Sequence, residues 1–246
     1  MIHHLWDIAL YKPFVNALVF LVSIVPGGDV GIAVILLTLI VKTILFPLSQ
    51  RSIEGQSKMK ILEPDLKKIK ESGASKEEQA KMTMELYKKH NANPFAGCLL
   101  VLIQLPIILA LYYVFYKGLN FDSSMFYNFV HSPEKINMNF LGLLNIGHKS
   151  LILAILAGVS QFFQAYFMPK PTVSSNKDSK NQSFQDNFAK SMNMQMKYVL
   201  PFFITFIAYR ISGAVALYWI TSNIFAIGQQ IYANKKHEKM SAIIVK

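Results

Sequence analysis

One lysine lies inside a long apolar run, and it is the residue in this chain most able to act on a charged ligand. The run, Val30–Leu48, is apolar except for Thr38, Lys42 and Thr43, and it reaches the length of about 18 residues that a transmembrane helix needs. A lysine near the centre of such a helix costs about 2.5–3.5 kcal/mol on insertion scales. Lys42 could snorkel to the nearby headgroups, or it could face a polar cavity enclosed by other spans and attract an anionic group there.

Other apolar runs carry polar side chains to a similar depth. Depths can be counted from the predicted cytoplasmic end of each span at about 1.5 Å per residue. Lys42 then lies about 9 Å, Gln161 about 10 Å and Gln104 about 13 Å from that end. A single amide in a span is more often an interhelical hydrogen bond, but convergence at one depth favours a polar cavity. The candidate lining residues are Lys42, Thr38, Gln104, Gln161, Tyr218, Trp219 and Asn223.

The apolar runs contain no Asp, Glu or His. This argues against the carboxylate relays of proton-coupled transporters and against the ligands of an intramembrane metalloprotease. Ser160 has no candidate base in a span, so a serine protease is disfavoured, and there is no phosphate-binding loop. The single cysteine, Cys98, cannot form an intramolecular disulfide. We therefore expect no catalytic residue, no metal site and no cofactor, and a protein that is not an enzyme.

Composition places the chain among polytopic membrane proteins. Its 246 residues are 52% hydrophobic and 16% charged, with a mean hydropathy of +0.32 and a net charge of +11. Several long apolar runs predict an all-α membrane protein. The excess of cations is typical of cytoplasmic loops that meet anionic lipid, although ribosomal RNA is an alternative partner for it.

Apolar runs, loop composition and turn residues predict five transmembrane helices. The predicted segments are an extracytoplasmic interfacial amphipathic helix (1–28), span 1 (29–49), a cytoplasmic helical hairpin (50–93), span 2 (94–117), an extracytoplasmic loop (118–149), span 3 (150–168), a cytoplasmic loop (169–195), span 4 (196–210), span 5 (213–233) and a basic cytoplasmic tail (234–246). Because the cations concentrate in the hairpin, the 169–195 loop and the tail, the positive-inside rule predicts an N-terminus outside and a C-terminus in the cytoplasm.

Two predictions concern the parts outside the spans. The apolar segment Phe14–Val25 is too short to span comfortably, which favours an interfacial helix. In the hairpin, Ser75 and Glu78 resemble a capping box, and Ala80, Met84 and Tyr87 are predicted to form the buried seam of the second helix.

The chain resembles the YidC family of membrane protein insertases, whose five-span core is shared with mitochondrial and chloroplast relatives. The resemblance covers about residues 5–233 and is most specific in NPFAGCLLVLIQLPI, Asn93–Ile107. It also rests on TILFPLSQRSIEGQSKMKILEPDLKKIKE, on SGAVALYWITSNIFAIGQQ, and on Lys42, which stands where the family carries an arginine. Unlike some family forms, the chain has no large extracytoplasmic domain before the core and no lipobox cysteine near its start.

The resemblance implies an insertase and chaperone of the plasma (inner) membrane. It would move short hydrophilic tails of nascent membrane proteins through a positively charged groove in the cytoplasmic leaflet, without ATP, and release their helices into lipid. The implied partners are nascent membrane proteins, the lipid bilayer, the ribosome (weakly, through the hairpin and tail) and the Sec translocon. The implied apolar slide comprises Leu105, Ile108, Leu111, Phe115, Phe202, Phe203 and Phe206. A channel or small-solute carrier, and an assembly scaffold without insertase activity, are the alternatives.

Overall fold

The chain is predominantly helical. A computed structural model describes residues 6–93, 96–116, 126–168, 191 and 194–244. A π-helical segment, Asp7–Tyr11, leads into α1, and a second one, Gln195–Val199, leads into α8. The helices are α1 (Lys12–Ile24), α2 (Val30–Ile44), α3 (Phe46–Ile61), α4 (Glu63–Glu71), α5 (Lys76–Lys89), α6 (Ala96–Tyr116), α7 (Leu151–Phe167), α8 (Leu200–Ile211) and α9 (Gly213–Ile244). Most of the predicted loop 169–195 and the first part of the predicted loop 118–149 lie outside the described residues.

The later helices follow the apolar runs closely. Ser150 caps α7, its hydroxyl accepting a hydrogen bond from the Leu153 amide at 3.4 Å. Such a cap satisfies one of the free amides at a helix start. The last helix, α9, differs from its prediction because it continues through the stretch expected to be a tail.

The first helix is longer than its apolar segment. Among the described residues, Asp7–Ile24 is the one continuous helix that is long and apolar enough to cross a bilayer alone, and the bent pair α2–α3 would be a second. Val15, Leu18 and Val19 of α1 are fully buried in the same hydrophobic core as Val34 of α2. The count of five spans and the interfacial position of residues 1–28 remain predictions.

Predicted span 1 is bent near its C-terminal end. The axes of α2 and α3 differ by 63° across Leu45. Pro47 explains the bend, because its ring has no N–H to donate to the preceding turn and clashes with the carbonyl four residues earlier. We call this junction the elbow. Lys42 lies two residues before α2 ends there.

Close helix crossings build the rest of the bundle. α7 packs against both α8 and α9, and α9 packs against α2. At the α7–α8 crossing a Cβ on Gly158 would collide with the Thr205 hydroxyl and would lie 3.0 Å from the Pro201 carbonyl oxygen. Glycine is therefore needed there for the helices to approach so closely.

A short antiparallel pair of strands covers the end of the bundle that is predicted to be external. β1 (Asn139–Phe140) and β2 (Leu144–Asn145) pair across a turn in which Leu141 and Gly142 have positive φ. Backbone hydrogen bonds tie this loop to the starts of α2 and α9. The Val30 N–H donates to the Asn137 carbonyl at 3.0 Å, and the Ala214 N–H donates to the Ile146 carbonyl at 2.9 Å. The loop therefore closes the bundle at this end.

The hairpin has its own small core. Leu62, Leu66 and Ala92 are buried, and Leu86 and Tyr87 pack against them. The predicted capping box of Ser75 and Glu78 is confirmed. The predicted seam of α5 is wrong at Ala80 and Met84, which are exposed. The face of α5 that packs is set by its contact with α4, which the apolar spacing within α5 alone does not determine.

Candidate functional site

Three helices bring polar side chains together beside Lys42. The Lys42 ammonium donates to Gln104 Oε1 at 3.0 Å, linking α2 to α6. The Gln104 amide nitrogen then donates to the hydroxyls of Tyr218 and Ser222 on α9, the second at 3.3 Å. We call these four side chains the polar relay.

Local helix geometry explains why the relay forms. Tyr218 and Ser222 are four residues apart, so they lie on one face of α9. Both are buried, at 2% and 3% exposure, and buried hydroxyls need hydrogen-bond partners. Gln104 supplies them with its amide nitrogen and leaves its carbonyl oxygen for the ammonium of Lys42.

The charge of Lys42 is met by neutral groups. In the described part of the chain the two ion pairs are Lys67–Glu71 and Lys68–Asp65, both within α4. Lys42 is partly buried and hydrogen-bonded to an amide, so its positive charge is not neutralised by a carboxylate. A partly buried cation in this setting favours an anionic ligand or water.

The other predicted lining residues are buried but have different partners. Thr38 donates to the Val34 carbonyl of its own helix at 2.6 Å. Gln161 donates to Gln164, one turn further along α7, at 2.8 Å. Asn223 donates to Ser160 at 2.9 Å, joining α9 to α7. Trp219 is 6% exposed and lies in the hydrophobic core.

Two participants were not among the predicted site residues. Ser222 follows Tyr218 by one turn, and Ser160 immediately precedes Gln161. Helical spacing could have identified Ser222 once Tyr218 had been chosen. The partnership of Ser160 with Asn223 depends on the relative rotation of two helices, which the sequence does not reveal.

A further polar contact holds the elbow. Gln229 of α9 accepts from the Ser49 hydroxyl at 3.0 Å and donates to the Phe46 carbonyl oxygen at 3.3 Å. Phe46 also contacts the Phe225 ring edge-on, with centroids 6.5 Å apart. These contacts fix the start of α3 against α9, close to Lys42.

The predicted slide residues divide into surface and core. Phe202, Phe203 and Phe206 of α8 are 78%, 56% and 59% exposed, and Leu105 of α6 is 50% exposed. Ile108 and Phe115 are partly buried against the core. Leu111 is 2% exposed, so in this structure its side chain belongs to the core. It lies on the side of α6 that faces the bundle.

Comparison with known proteins identifies the family. A family model described as 60Kd inner membrane protein matches residues 20–240. A Clostridium tetani protein named membrane protein insertase YidC is 31% identical over 95% of this chain and 96% of its own length. Proteins of the same name from Fusobacterium nucleatum and Oceanobacillus iheyensis are 33% and 32% identical, over 85% and 94% of this chain and 88% and 84% of their own lengths. The chain belongs to the YidC family.

YidC-family relatives differ in length. The relative from Wolinella succinogenes is 33% identical over 86% of this chain, but the match covers only 34% of its length. The polar relay and the elbow of this YidC-family chain both lie within the region that the family model matches. In the described residues no group of His, Cys, Asp and Glu side chains could hold a metal ion.

Proposed function

We propose that this protein is an insertase that helps short hydrophilic tails of membrane proteins across the bilayer. The observation that carries the proposal is the Lys42 ammonium, held beside Gln104 with no carboxylate neighbour in the described chain. Its positive charge would then be available to an acidic group on a substrate tail. Membership of the YidC family and the names of its relatives support the same function.

In this proposal the tail enters from the cytoplasm and the apolar segment leaves sideways into lipid. Water and the neutral dipoles of the polar relay would shorten the apolar path for the tail. The exposed aromatic side chains Phe202, Phe203 and Phe206 of α8 would form the exit surface. The loop that carries β1 and β2 would close the outer side, because it is bonded to the starts of α2 and α9.

Partitioning of the substrate can drive this process without ATP. A substrate helix of about 20 apolar residues gains about 0.3–0.6 kcal/mol per residue, or about 6–12 kcal/mol in total. Each acidic residue that crosses costs about 2.5–3.5 kcal/mol. The gain therefore exceeds the cost of one or two acidic residues, and the protein needs only to lower the barrier.

The proposal includes a multi-pass position in the inner membrane, with the N-terminus outside and the C-terminus in the cytoplasm. The hairpin would then project into the cytoplasm as a docking arm. Its cations and those of α9 and the following residues would give weak contact with a ribosome, and the Sec translocon would be a second partner.

Insertion by reconstituted protein tests the function. Wild type, Lys42→Arg and Lys42→Ala would be compared on a single-span substrate with two acidic residues in its tail and on a matched substrate with a neutral tail. We expect Lys42→Ala to lose about tenfold or more on the acidic tail, since a charge pair at about 4 Å is worth about 1–4 kcal/mol at effective dielectric constants of about 80 to 20. Lys42→Arg should retain most activity, and the neutral tail should respond little.

Lys149→Ala is the matched control, because Lys149 is exposed in the outer loop. Full activity of correctly folded Lys42→Ala on the acidic tail would remove Lys42 from the mechanism. Solute flux without insertion would identify a channel or carrier, and stable substrate binding without insertion would identify a scaffold.

A further inference from the structure

A cavity lies away from the polar relay, at the base of the hairpin. Its volume is about 330 Å³, and it is formed between α3 and the segment that leads from α5 to α6. Its lining residues are Leu48, Arg51, Ser52, Glu54, Gly55, Lys58, Asn91 and Asn93. None of them is used in the mechanism proposed above.

The cavity is lined by two cations and one carboxylate. Arg51 and Lys58 are seven residues apart on α3, so they lie on one face about 10 Å apart along the helix axis. Both are exposed, and neither forms an ion pair with a described residue. Glu54 lies between them on the same face and accepts a hydrogen bond from Gln50 at 3.3 Å. One net positive charge therefore remains on the lining.

Amides line the opposite wall. Asn91 has a φ of 48°, a left-handed conformation that asparagine tolerates better than most residues. Its backbone N–H donates to the Lys88 carbonyl at 3.2 Å, which turns the chain at the end of α5. This turn places Asn91 and Asn93 on the cavity across from α3. Side-chain amides and guanidinium groups together suit the oxygen atoms of a phosphate group.

The position of the cavity favours a lipid over a soluble anion. Leu48, at one end of the lining, is 40% exposed and belongs to the apolar run that continues into α2. Gly55, which has no side chain, also lines the cavity. In the proposed orientation this end of the bundle meets the cytoplasmic leaflet, where basic pockets at helix ends bind anionic headgroups.

We propose that this cavity binds the phosphate-bearing headgroup of an anionic phospholipid of the cytoplasmic leaflet. Arg51 and Lys58 hold the phosphate oxygens, the asparagine amides complete the contact, and Leu48 lies against the glycerol and the first acyl carbons. The inference rests on the membrane orientation in the proposed function. It adds a lipid site at the point where the hairpin leaves the bundle.

Native mass spectrometry of the delipidated full chain in detergent tests the site. Wild type would be titrated with phosphatidylglycerol, with phosphatidylcholine and with inorganic phosphate. We expect the R51Q/K58Q double variant to bind phosphatidylglycerol about 30-fold more weakly, or about fivefold per cation. The matched control is K81Q/K88Q, which removes the same charge from exposed positions on α5. Gly55→Leu should weaken binding with no change in charge, because its side chain fills the cavity.

Equal weakening in R51Q/K58Q and K81Q/K88Q would overturn the proposal, since the lipid would then respond only to net charge. Equal binding of phosphatidylcholine by wild type would also overturn it. Displacement of phosphatidylglycerol by an equimolar concentration of inorganic phosphate would make free phosphate the ligand and refute the lipid assignment. Lipid binding is measured without a substrate, so its failure leaves the insertion assay on Lys42 unaffected, and failure of that assay leaves the lipid result standing.

Discussion

Replacing Asp29 should loosen the loop that closes the bundle. Its carboxylate is buried at 6% exposure. One oxygen accepts from the Gly31 and Ile32 amides at 2.8 and 3.1 Å and caps α2, while the other accepts from the Leu141 amide at 2.8 Å. A single side chain therefore joins the start of α2 to the turn between β1 and β2.

The two functions of Asp29 can be separated by substitution. Asp29→Asn keeps one oxygen for the helix cap, since Asn and Asp cap about equally well, but it places an NH₂ donor against the Leu141 amide. The lost acceptor should cost about 1–2 kcal/mol, the lower part of the range for an unpaired amide, because the bond is only partly buried. Asp29→Ala also loses the cap, which adds about 1 kcal/mol.

Equilibrium unfolding in detergent micelles gives these free energies, and hydrogen exchange locates the change. We expect faster exchange at the Leu141 amide in both variants, and faster exchange at the Gly31 and Ile32 amides only in Asp29→Ala. Glu85→Gln is the control, because Glu85 is exposed on α5. Unchanged stability and unchanged exchange at Leu141 in Asp29→Asn would refute the assignment of this carboxylate as the link.

Three further predictions follow from the contacts. Gln104→Leu removes the only described hydrogen-bond partner of Lys42. We expect this variant to insert a substrate with an acidic tail more slowly and to lose about 1–3 kcal/mol of unfolding free energy. Insertion equal to wild type would contradict a role for the polar relay. Gly158→Ala should destabilise by about 1–3 kcal/mol through the collision with α8. Gly228→Ala, with open space around it, should instead stabilise by up to about 1 kcal/mol. If both substitutions changed the free energy of unfolding in micelles equally, the close crossing of α7 and α8 at Gly158 would be contradicted. Burial raises the pKa of the Tyr87 phenol. An absorbance titration of wild type against Tyr87→Phe should therefore find the ionisation of Tyr87 above the usual pKa of about 10. The buried neutral phenol contributes fully to hairpin stability below that pH, and this contribution is lost as the pH rises through the raised pKa.

The helices that the sequence predicted best are those with signals at both ends. Predicted span 3 agrees with α7 within a residue at each end, because Ser150 caps its start and Pro169 follows its end. The elbow was missed although Pro47 is present, because the apolar run Val30–Leu48 continues past the bend at Leu45 and was read as one straight span. The packing of α1 into the bundle depends on neighbours distant in sequence, which a local apolar count does not include.

The site was predicted in part for a similar physical reason. Depth along a helix follows from residue number, and it predicted that Lys42 and Gln104 lie at similar depths; the structure joins them by a hydrogen bond. Rotation of each helix about its axis does not follow from residue number. Gln161, which was predicted at a similar depth, therefore bonds within its own helix, and Leu111, which was predicted to belong to the apolar slide, is buried in the core.

The choice of partners for Lys42 decides what the site can do. A carboxylate in place of Gln104 would hold the ammonium more tightly, but it would cancel the charge on which the proposed binding of an acidic tail depends. An amide satisfies one N–H of the ammonium and leaves its charge intact. The hydroxyls of Tyr218 and Ser222 orient that amide, so its oxygen stays directed at Lys42. The relay therefore positions a cation without pairing it with a carboxylate, as the transient binding step of the proposed function would require.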